Sequence, residues 1–445
     1  MATKVTPISG FPELLPAQRL AELHVLDVVR RTFELHGYTS LETRSLEPVE
    51  RLLGKGGDAD KEIYAVSRLA AGADESKDAS LGLHFDLTVP FARYVLENAG
   101  RLNFPFRRYQ IQKSWRGERP QEGRFREFTQ ADIDVVDVGD LPSHVEAEMP
   151  LVIAEIFEQL PVGEFRVRCN NRKIPQGFYL GIGVTDLVGT LRTVDKLDKI
   201  GPDAVRAQLV AAGASVEQAD ACLALAQICT TDTSFVDQVR ALGVSHPLLE
   251  EGLGILAEVM AAAALATKPG RVVADRAIAR GLDYYTGTVY ETQIAGFESW
   301  GSVAGGGRYD ALASDGKVTY PGVGISIGVT RLVQLLISKR GLSASRSTPA
   351  AVLVAVNEEA SRADSLAVAT ALRSRGIPCE VAPRADRFGK QIRYADRRGI
   401  PYVWFPGDEG DQVKDIRSGV QVGAQAQTWQ CPQEDLRPSL VIQEP

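Results

Sequence analysis

Cysteine is scarce in this 445-residue chain, and its spacing is wrong for joint work. Cys169, Cys222, Cys229, Cys379 and Cys431 are scattered, and no two form a C-x-x-C pair. That spacing argues against a disulfide framework and against a structural zinc site, so no metal is expected from protein motifs. It fits a reducing, cytoplasmic setting. Long apolar runs are missing too. None approaches the roughly 20 residues that span a bilayer, so no membrane association is expected. Residues 1–7, Met-Ala-Thr-Lys-Val-Thr-Pro, lack the apolar core of a secretory signal. Internal repeats and low-complexity segments are absent. Nor is there an excess of positive charge, since the net charge is −7. An acidic whole argues mildly against a nucleic-acid partner. A local basic surface can still steer a polyanion onto an acidic protein, so the question passes to local patterns.

What is present suffices for more than one core: 44% of residues are hydrophobic, and the length predicts two or three domains. Helical spacing over 17–36 includes Leu20, Leu23, Val28 and Phe33, and Gly37 supplies a stop. Tyr38–Leu46 predicts a strand ending before Pro48. Segments near 82–88, 106–116 and 126–136 read as strands, with helices around 89–98 and 143–159. Strands in hairpin-like pairs with helices of uneven length predict an α+β domain: an antiparallel sheet flanked by helices. Residues 185–265 turn rich in Ala, Leu and Val and are punctuated by Gly201-Pro202, Gly213 and Gly243, which predicts a helical insertion. Strand signals return at 271–294 and 302–308. The segment 322–328 then leads into a helix at 329–340 that closes a first domain, 1–340. Residues 341–349 are a linker by composition. Beyond it, strands at 351–356, 377–382 and 401–405 alternate with helices at 359–375 and 386–398, predicting a small α/β domain over 350–445.

Four segments carry chemistry. In 280–291, Arg-Gly-Leu-Asp-Tyr-Tyr-Thr-Gly-Thr-Val-Tyr-Glu, an arginine and paired tyrosines lie beside flexible backbone, a mixture that suits an anionic ligand. Gly305-Gly306-Gly307-Arg308-Tyr309-Asp310 follows closely. In 105–134, two strands joined by a charged loop place Ser114 and Arg116 on one face of the first strand. Phe128, Gln130, Asp132 and Asp134 share a face of the second. If the strands pair, one surface shows an arginine, an aromatic, an amide and carboxylates. That set can stack a base, neutralise a phosphate and hold a cationic small molecule. A solvated amphipathic hairpin is the plain alternative, but Phe128 amid polar neighbours needs cover. In 322–332, small residues precede Arg331 early on a helix. Finally, Asp86 and Thr88 share strand parity and suit an ammonium group, although Thr88 before Val89-Pro90 equally reads as a helix N-cap.

Together these segments resemble the histidyl-tRNA synthetases, a family of class II aminoacyl-tRNA synthetases, over nearly the whole chain. Residues 280–291 are similar to the family's first histidine signature and Gly305–Asp310 to its second. Residues 115–128 resemble motif 2 and 322–332 motif 3. The strand and turn ending at Pro48 resemble motif 1, which builds the homodimer interface, and Asp86–Arg93 resembles the eukaryotic-type amino-acid-binding loop. The resemblance implies ATP-dependent joining of histidine to tRNA(His) through a histidyl-adenylate, with Mg2+. It implies that Arg116 holds the α-phosphate and the histidine carboxylate, and that Arg280 adds a second charge there. Arg124 and Arg331 would grip the β- and γ-phosphates, Phe128 would stack on adenine, and Glu118 would accept its exocyclic amine. For histidine it implies Asp86, Thr88 and Gln130 at the ammonium, and Asp134 and Tyr285 at the imidazole, with Tyr284 and Tyr309 nearby. Motif 3 departs from the pattern: Thr330 stands where glutamate usually precedes the arginine. The tail resembles the family's anticodon-binding domain, in which Arg387, Lys390, Tyr394 and Arg397 recur along one helix face, a pattern suited to single-stranded RNA. Read without the resemblance, the same residues favour a merely solvated helix face. A non-catalytic, histidine-binding regulatory paralogue is the alternative. Such proteins usually lose the catalytic arginines and the tail domain, whereas this chain keeps Arg116, Arg280, Arg331 and about 95 residues of tail, a normal domain size.

Overall fold

The charged segment 105–134 folds as the hairpin that its alternation predicts. In the computed structural model, which describes residues 5–53, 62–68, 80–278 and 284–442, strand Phe106–Trp115 pairs antiparallel with strand Glu127–Val136 over its full length. The register sets Ser114 opposite Phe128, Gln112 opposite Gln130, Gln110 opposite Asp132 and Arg108 opposite Asp134. Strand Thr319–Gly328 continues the sheet, followed by Ala304–Ser314, Thr288–Ile294, Phe165–Asn171, Val272–Asp275 and Cys229–Thr230, with Thr39–Ser40 at the other edge. Among the described residues this sheet has nine strands. All pairs are antiparallel except Thr39–Ser40 with Phe106–Trp115 and Phe165–Asn171 with Val272–Asp275.

Helices cover the sheet by burying apolar stripes. Helix Thr88–Asn98 sets Phe91, Ala92 and Val95 against Val136, Tyr309, Ala313 and Tyr320, a cluster that also receives Tyr284 and Tyr285. Helices Lys173–Gly181 and Pro247–Ala266 cross closely because glycine faces each partner. A Cβ on Gly177 would lie 2.3 Å from the Leu249 nitrogen, and one on Gly252 would lie 2.9 Å from that of Ile174. Helix Pro247–Ala266, which composition alone assigns to the insertion, thus packs on the sheet-bearing body, touching Glu148–Glu158 and Phe165–Asn171. The rest of the predicted insertion holds shorter helices at Leu187–Val194, Leu197–Ile200, Pro202–Ala211, Val216–Ala226 and Phe235–Arg240. It departs from the all-helical expectation at strand Cys229–Thr230, which pairs at the edge of the sheet.

Several predicted strands are shorter than their patterns. Within 38–46 only Thr39–Ser40 is strand, and Leu46–Pro48 begins another. Between them the chain is held at Thr43: Gln112 Nε2 donates to its carbonyl at 2.9 Å, and Gln110 Nε2 to its hydroxyl at 3.0 Å. Within 82–88 only residues up to Leu83 extend strand Leu81–Leu83, because the helix starts at Thr88. The side chain that caps that start is Asp86, whose Oδ1 accepts from the Val89 N–H at 3.1 Å, and not Thr88. The predicted strand 271–294 divides into Val272–Asp275 and Thr288–Ile294.

The described chain groups into two compact units, Met1–Pro12 with Val28–Gln334, and Glu13–Asp27 with Leu335–Pro445. The second holds a five-stranded sheet in the order Cys379–Val381, Val352–Val354, Tyr402–Phe405, Gln412–Asp415, Gln421–Gly423, parallel over its first three strands. Ala351, Leu372, Trp404 and Ile377 fill one side of it, and Leu353, Ala395, Ile400 and Val403 the other. Residues 342–344, within the compositional linker, form a strand paired with Leu440–Ile442.

A pH-dependent clasp joins the end of the first helix to Glu148–Glu158. His36 Nε2 lies 2.8 Å from Glu155, and Glu148 lies near its Nδ1. The Glu148 contact, opposed by burial and aided by Glu155, raises the imidazole above its ordinary value. Burial opposes ionisation of Glu148, but His36 and Arg107 hold its carboxyl down to about 2. A raised histidine stabilises fully below its unfolded pKa of about 6.5, and the contribution fades as pH rises through the folded value. His36→Gln should therefore lower Tm more at pH 5.5 than at pH 8.5. Parallel thermal melts of both proteins check this; an equal deficit at both pH values would refute it.

Candidate active site

One cavity of about 450 Å³ opens over the middle of the nine-stranded sheet, and both cationic and acidic side chains line it. Arg116, Arg124 and Arg331 line it together with Phe128, Phe125 and the backbone of Gly305, Gly306 and Gly328. Asp86, Thr88, Gln130, Asp132, Tyr284, Tyr285 and Ser326 also line it.

The arginines are placed by backbone. Arg116 Nε donates to the Phe85 carbonyl at 3.0 Å, and its guanidinium carbon sits 5.1 Å from the Phe128 ring centre. Arg331, on the first turn of helix Val329–Arg340, donates through Nε to the Gly123 carbonyl at 2.7 Å and through Nη1 to that of Ser302. Burial lowers its pKa, and so do the like charges of Arg124 and Arg116. Three guanidiniums this close, one of them largely buried, make a receptor for a multiply charged anion. Arg124 is paired with Glu118 at 2.9 Å, so a ligand taking either must open that ion pair. Thr330 does not leave its place empty. Its hydroxyl accepts from the Thr129 N–H at 2.8 Å and so ties the start of the helix to strand Glu127–Val136.

Three carboxyls at or beside this cavity, Asp86, Asp132 and Asp134, are buried. Burial pushes the Asp132 carboxyl up to about 7 despite the neighbouring Arg108. Burial likewise raises Asp134 to about 6, opposed by Arg108 and Tyr309, and it raises Asp86. Carboxyls in this condition favour a cationic ligand. Tyr284 donates to Asp86 Oδ2 at 3.2 Å, and the Tyr284 and Tyr285 rings meet edge to face with centres 4.9 Å apart. Glycine makes the room. A Cβ on Gly306 would lie 2.1 Å from the Gly324 carbonyl, and one on Gly324 would lie 2.1 Å from Asp134 Oδ1.

Of the residues singled out in the sequence, Asp86, Thr88, Arg116, Glu118, Arg124, Phe128, Gln130, Tyr284, Tyr285 and Arg331 line this one cavity. Asp134 and Tyr309 are not on its wall. They sit behind it, with Tyr309 donating to Asp134 Oδ1 at 2.8 Å and Asp134 Oδ2 at 2.6 Å from Arg108 Nη2. Arg280 lies outside the described residues. Sequence reasoning put Asp132 on the right face but gave it no role, and it missed Ser326 and Glu291. Ser326 was discoverable: the small residue two after Gly324 faces the same way as Gly324 on its strand. Glu291, pushed up to about 7 by burial and by Asp195, also lines a second, larger cavity with Arg124, Arg331, Asp195 and Lys199. In the second unit, Arg387, Lys390, Arg393 and Arg397 are exposed on or beside helix Phe388–Arg398. Tyr394, grouped with them by spacing, instead packs on the core, with its hydroxyl between Arg398 and Glu380.

The family model of histidyl-tRNA synthetase matches residues 10–332, and that of an anticodon binding domain matches 350–421. A histidine–tRNA ligase of Cutibacterium acnes is 57% identical, the match covering 98% of this chain and 99% of that one. The histidine–tRNA ligase of Micrococcus luteus is 59% identical over 97% of this chain and 98% of its own. Among solved structures, a histidyl-tRNA synthetase from Nostoc sp. PCC 7120 superposes with a TM-score of 0.85 at 34% identity, covering 95% of this chain and 97% of that one.

Proposed function

This chain belongs to the histidyl-tRNA synthetase family, and from that premise we propose how the residues of its cavity join histidine to tRNA(His). It is a class II histidine–tRNA ligase with an anticodon-binding domain. The observation that supports the residue assignment is the mixed cavity: three arginines and buried carboxylates share one space of about 450 Å³. A triphosphate beside an amino acid needs both kinds of charge.

In the first step a carboxylate oxygen of histidine attacks the α-phosphorus of ATP, an O–P bond forms, and the bond to pyrophosphate breaks. Charge builds on the α-phosphate oxygens, where Arg116 is held by Phe85 and already oriented. Arg124 and Arg331 hold the departing pyrophosphate, and Phe128 stacks on adenine, whose exocyclic amine reaches Glu118 once Arg124 turns to phosphate. Arg280, by its place in the first histidine signature, adds charge at the α-phosphate. Asp86, Thr88 and Gln130 receive the α-ammonium. Tyr285 meets the imidazole, with Tyr284 beside it, and Asp134 and Tyr309 fix the wall behind. In the second step a ribose hydroxyl at the tRNA end attacks the carbonyl carbon of the adenylate and AMP leaves. Mg2+ belongs to the same proposal. Glu291, a half-buried wall carboxyl, would hold such a cation, which would supply neutralisation of the triphosphate charge.

Arg387, Lys390 and Arg397 are proposed to meet the anticodon arm, because they are exposed cations on one short stretch of helix. A homodimer, built through the segment ending at Pro48, and a cytoplasmic setting complete the reading. The five thiols are unpaired, and among the described residues no helix is long and apolar enough to cross a membrane.

Histidine-dependent exchange of labelled pyrophosphate into ATP tests the activation step. Exchange that saturates with histidine and is not evoked by other amino acids is expected. Its absence at every histidine concentration would leave only the regulatory paralogue, which nothing in the cavity favours.

A further inference from the structure

The loop 116–127 carries Glu118 and Arg124 and leads into Phe128, three of the residues assigned to ATP. Beyond the pair Trp115 and Glu127 it has left the strand ladder. Its own backbone closes it at few points. The Arg116 N–H donates to the Arg126 carbonyl at 2.9 Å, and the Arg124 N–H to that of Gln121 at 2.9 Å. Chain entropy disfavours a single shape for such a loop unless contacts from outside supply the difference.

Residues 8–11 supply contacts of that kind. The Phe11 N–H donates to the Ile8 carbonyl at 3.2 Å, which makes a turn with Gly10 inside it. The Gly10 carbonyl accepts two successive N–H groups where the loop rejoins the strand, from Arg126 at 2.8 Å and from Glu127 at 3.1 Å. Glycine suits the place for two reasons. Its φ is +85°, and a Cβ would lie 2.9 Å from the side chains of both Pro120 and Arg126. Arg126 passes the contact on, since its Nε donates to the Glu118 carbonyl at 3.1 Å. The neighbouring residue reaches the loop's other limb. The Phe11 ring meets that of Tyr64 with centres 6.4 Å apart, and just before Tyr64 the Glu62 carbonyl accepts from the Gly117 N–H at 2.7 Å. One short segment thus bears on both limbs, at Glu118 and at the approach to Phe128.

We propose that residues 8–11 are a strap that holds the loop 116–127 in its ATP-binding shape, with Gly10 as the positioning residue. The proposal rests on reading the cavity as the histidine and ATP site. Gly10 is not among the residues that line the cavity, and it acts through Arg126 and Glu127. Its effect is confined to nucleotide binding for a geometrical reason. The Arg116 guanidinium is held separately, by the Phe85 carbonyl. Asp86 is bound to Tyr284 and to the Val89 N–H, outside the loop. Loosening the strap therefore weakens the grip on ATP and spares both the chemical step and the histidine pocket.

The test compares the full-length wild type with Gly10→Ala and Gly139→Ala. Gly139 has a φ of +76° and open space where a Cβ would stand, so its variant reports backbone strain alone. In Gly10→Ala the ATP KM in pyrophosphate exchange should rise about 10- to 30-fold, the scale of two weakened hydrogen bonds, with kcat and histidine KM within about threefold. In Gly139→Ala all three should stay within about twofold of wild type. Amide hydrogen exchange of unliganded Gly10→Ala should quicken at least about tenfold at Arg126 and Glu127 and stay unchanged in strand Thr319–Gly328. A variant that starts at Phe11 removes the Gly10 carbonyl outright. It should show the same rises, and it serves if Gly10→Ala does not fold. A wild-type ATP KM, a histidine KM that rises in equal proportion, or unchanged hydrogen exchange at Arg126 and Glu127 overturns the strap. A wild type without histidine-dependent pyrophosphate exchange overturns instead the reading of the cavity on which the proposal rests.

Discussion

Arg116→Ala should lower histidine-dependent pyrophosphate exchange by about 10²- to 10³-fold, the loss seen when one preorganised electrostatic contact to a transition state is removed. The guanidinium needs no rearrangement to act. Its Nε is already bound to the Phe85 carbonyl at 3.0 Å, and its face lies over Phe128. The remaining N–H groups are directed by those two contacts into a cavity where Arg124 and Arg331 supply the other positive charges. Losing Arg116 should therefore strike kcat more than ATP KM, because the β- and γ-phosphates keep their own arginines. Arg116→Lys retains charge but not the planar fork, and should recover only part of the loss, remaining about tenfold or more below wild type. Steady-state exchange with both substrates varied, together with a thermal melt to show an unchanged fold, is the measurement. An Arg116→Ala enzyme with wild-type kcat would remove this residue from the chemistry.

Much of this site was legible because β-structure converts sequence parity into geometry. Arg116, Phe128 and Gln130 were placed on one surface by counting in twos, and the observed register, Ser114 opposite Phe128 and Gln112 opposite Gln130, keeps them there. The same counting put Asp132 and Asp134 together with them, yet only Asp132 reaches the cavity wall. Parity cannot tell a wall from what lies behind it. Asp134 is drawn away by Arg108 on the neighbouring strand and by Tyr309 two strands over, partners at sequence distances of 26 and 175 residues. The start of helix Thr88–Asn98 was legible to within one residue, but its capping partner was not. Val89-Pro90 announced the start, while Asp86 rather than Thr88 supplies the cap, because the chain turns between Leu83 and Leu87 instead of running on as strand. Similarly, 38–46 has strand composition, but the Gln112 side-chain amide binds its backbone at Thr43 and that of Gln110 binds the Thr43 hydroxyl, where a ladder would otherwise run. Long-range partners of this kind are fixed by the fold as a whole, and local propensity does not encode them.

Arg108→Met should destabilise the protein by about 3–5 kcal/mol near pH 8, the scale on which removing one partner of a buried ion pair strands the other. Arg108 is fully buried. Its Nη2 lies 2.6 Å from Asp134 Oδ2, its Nη1 reaches Gln110, and its guanidinium carbon sits 4.3 Å from the Phe91 ring centre. It is also the cation that acts against burial at both Asp132 and Asp134. Without it the folded protein must either keep two bare carboxylates in a dry wall or protonate them. The sign of the pH effect follows. Even with Arg108 present, burial holds Asp134 up at about 6, above the unfolded value of about 3.9, so the native state binds more protons and stability falls as pH rises through that window. Removing Arg108 raises the folded value further, so the variant's deficit should be small at pH 5, where Asp134 is neutral, and should grow toward pH 8. Adding Asp134→Asn removes the stranded charge and should return much of the loss at pH 8 while changing little at pH 5. Urea unfolding of the four proteins in this cycle at both pH values measures the coupling. A deficit that ignores pH would mean that Arg108 supports the wall by packing on Phe91 and not by charge. The ion pair would then have no part in keeping Asp134 and Tyr309 in place behind the proposed histidine pocket.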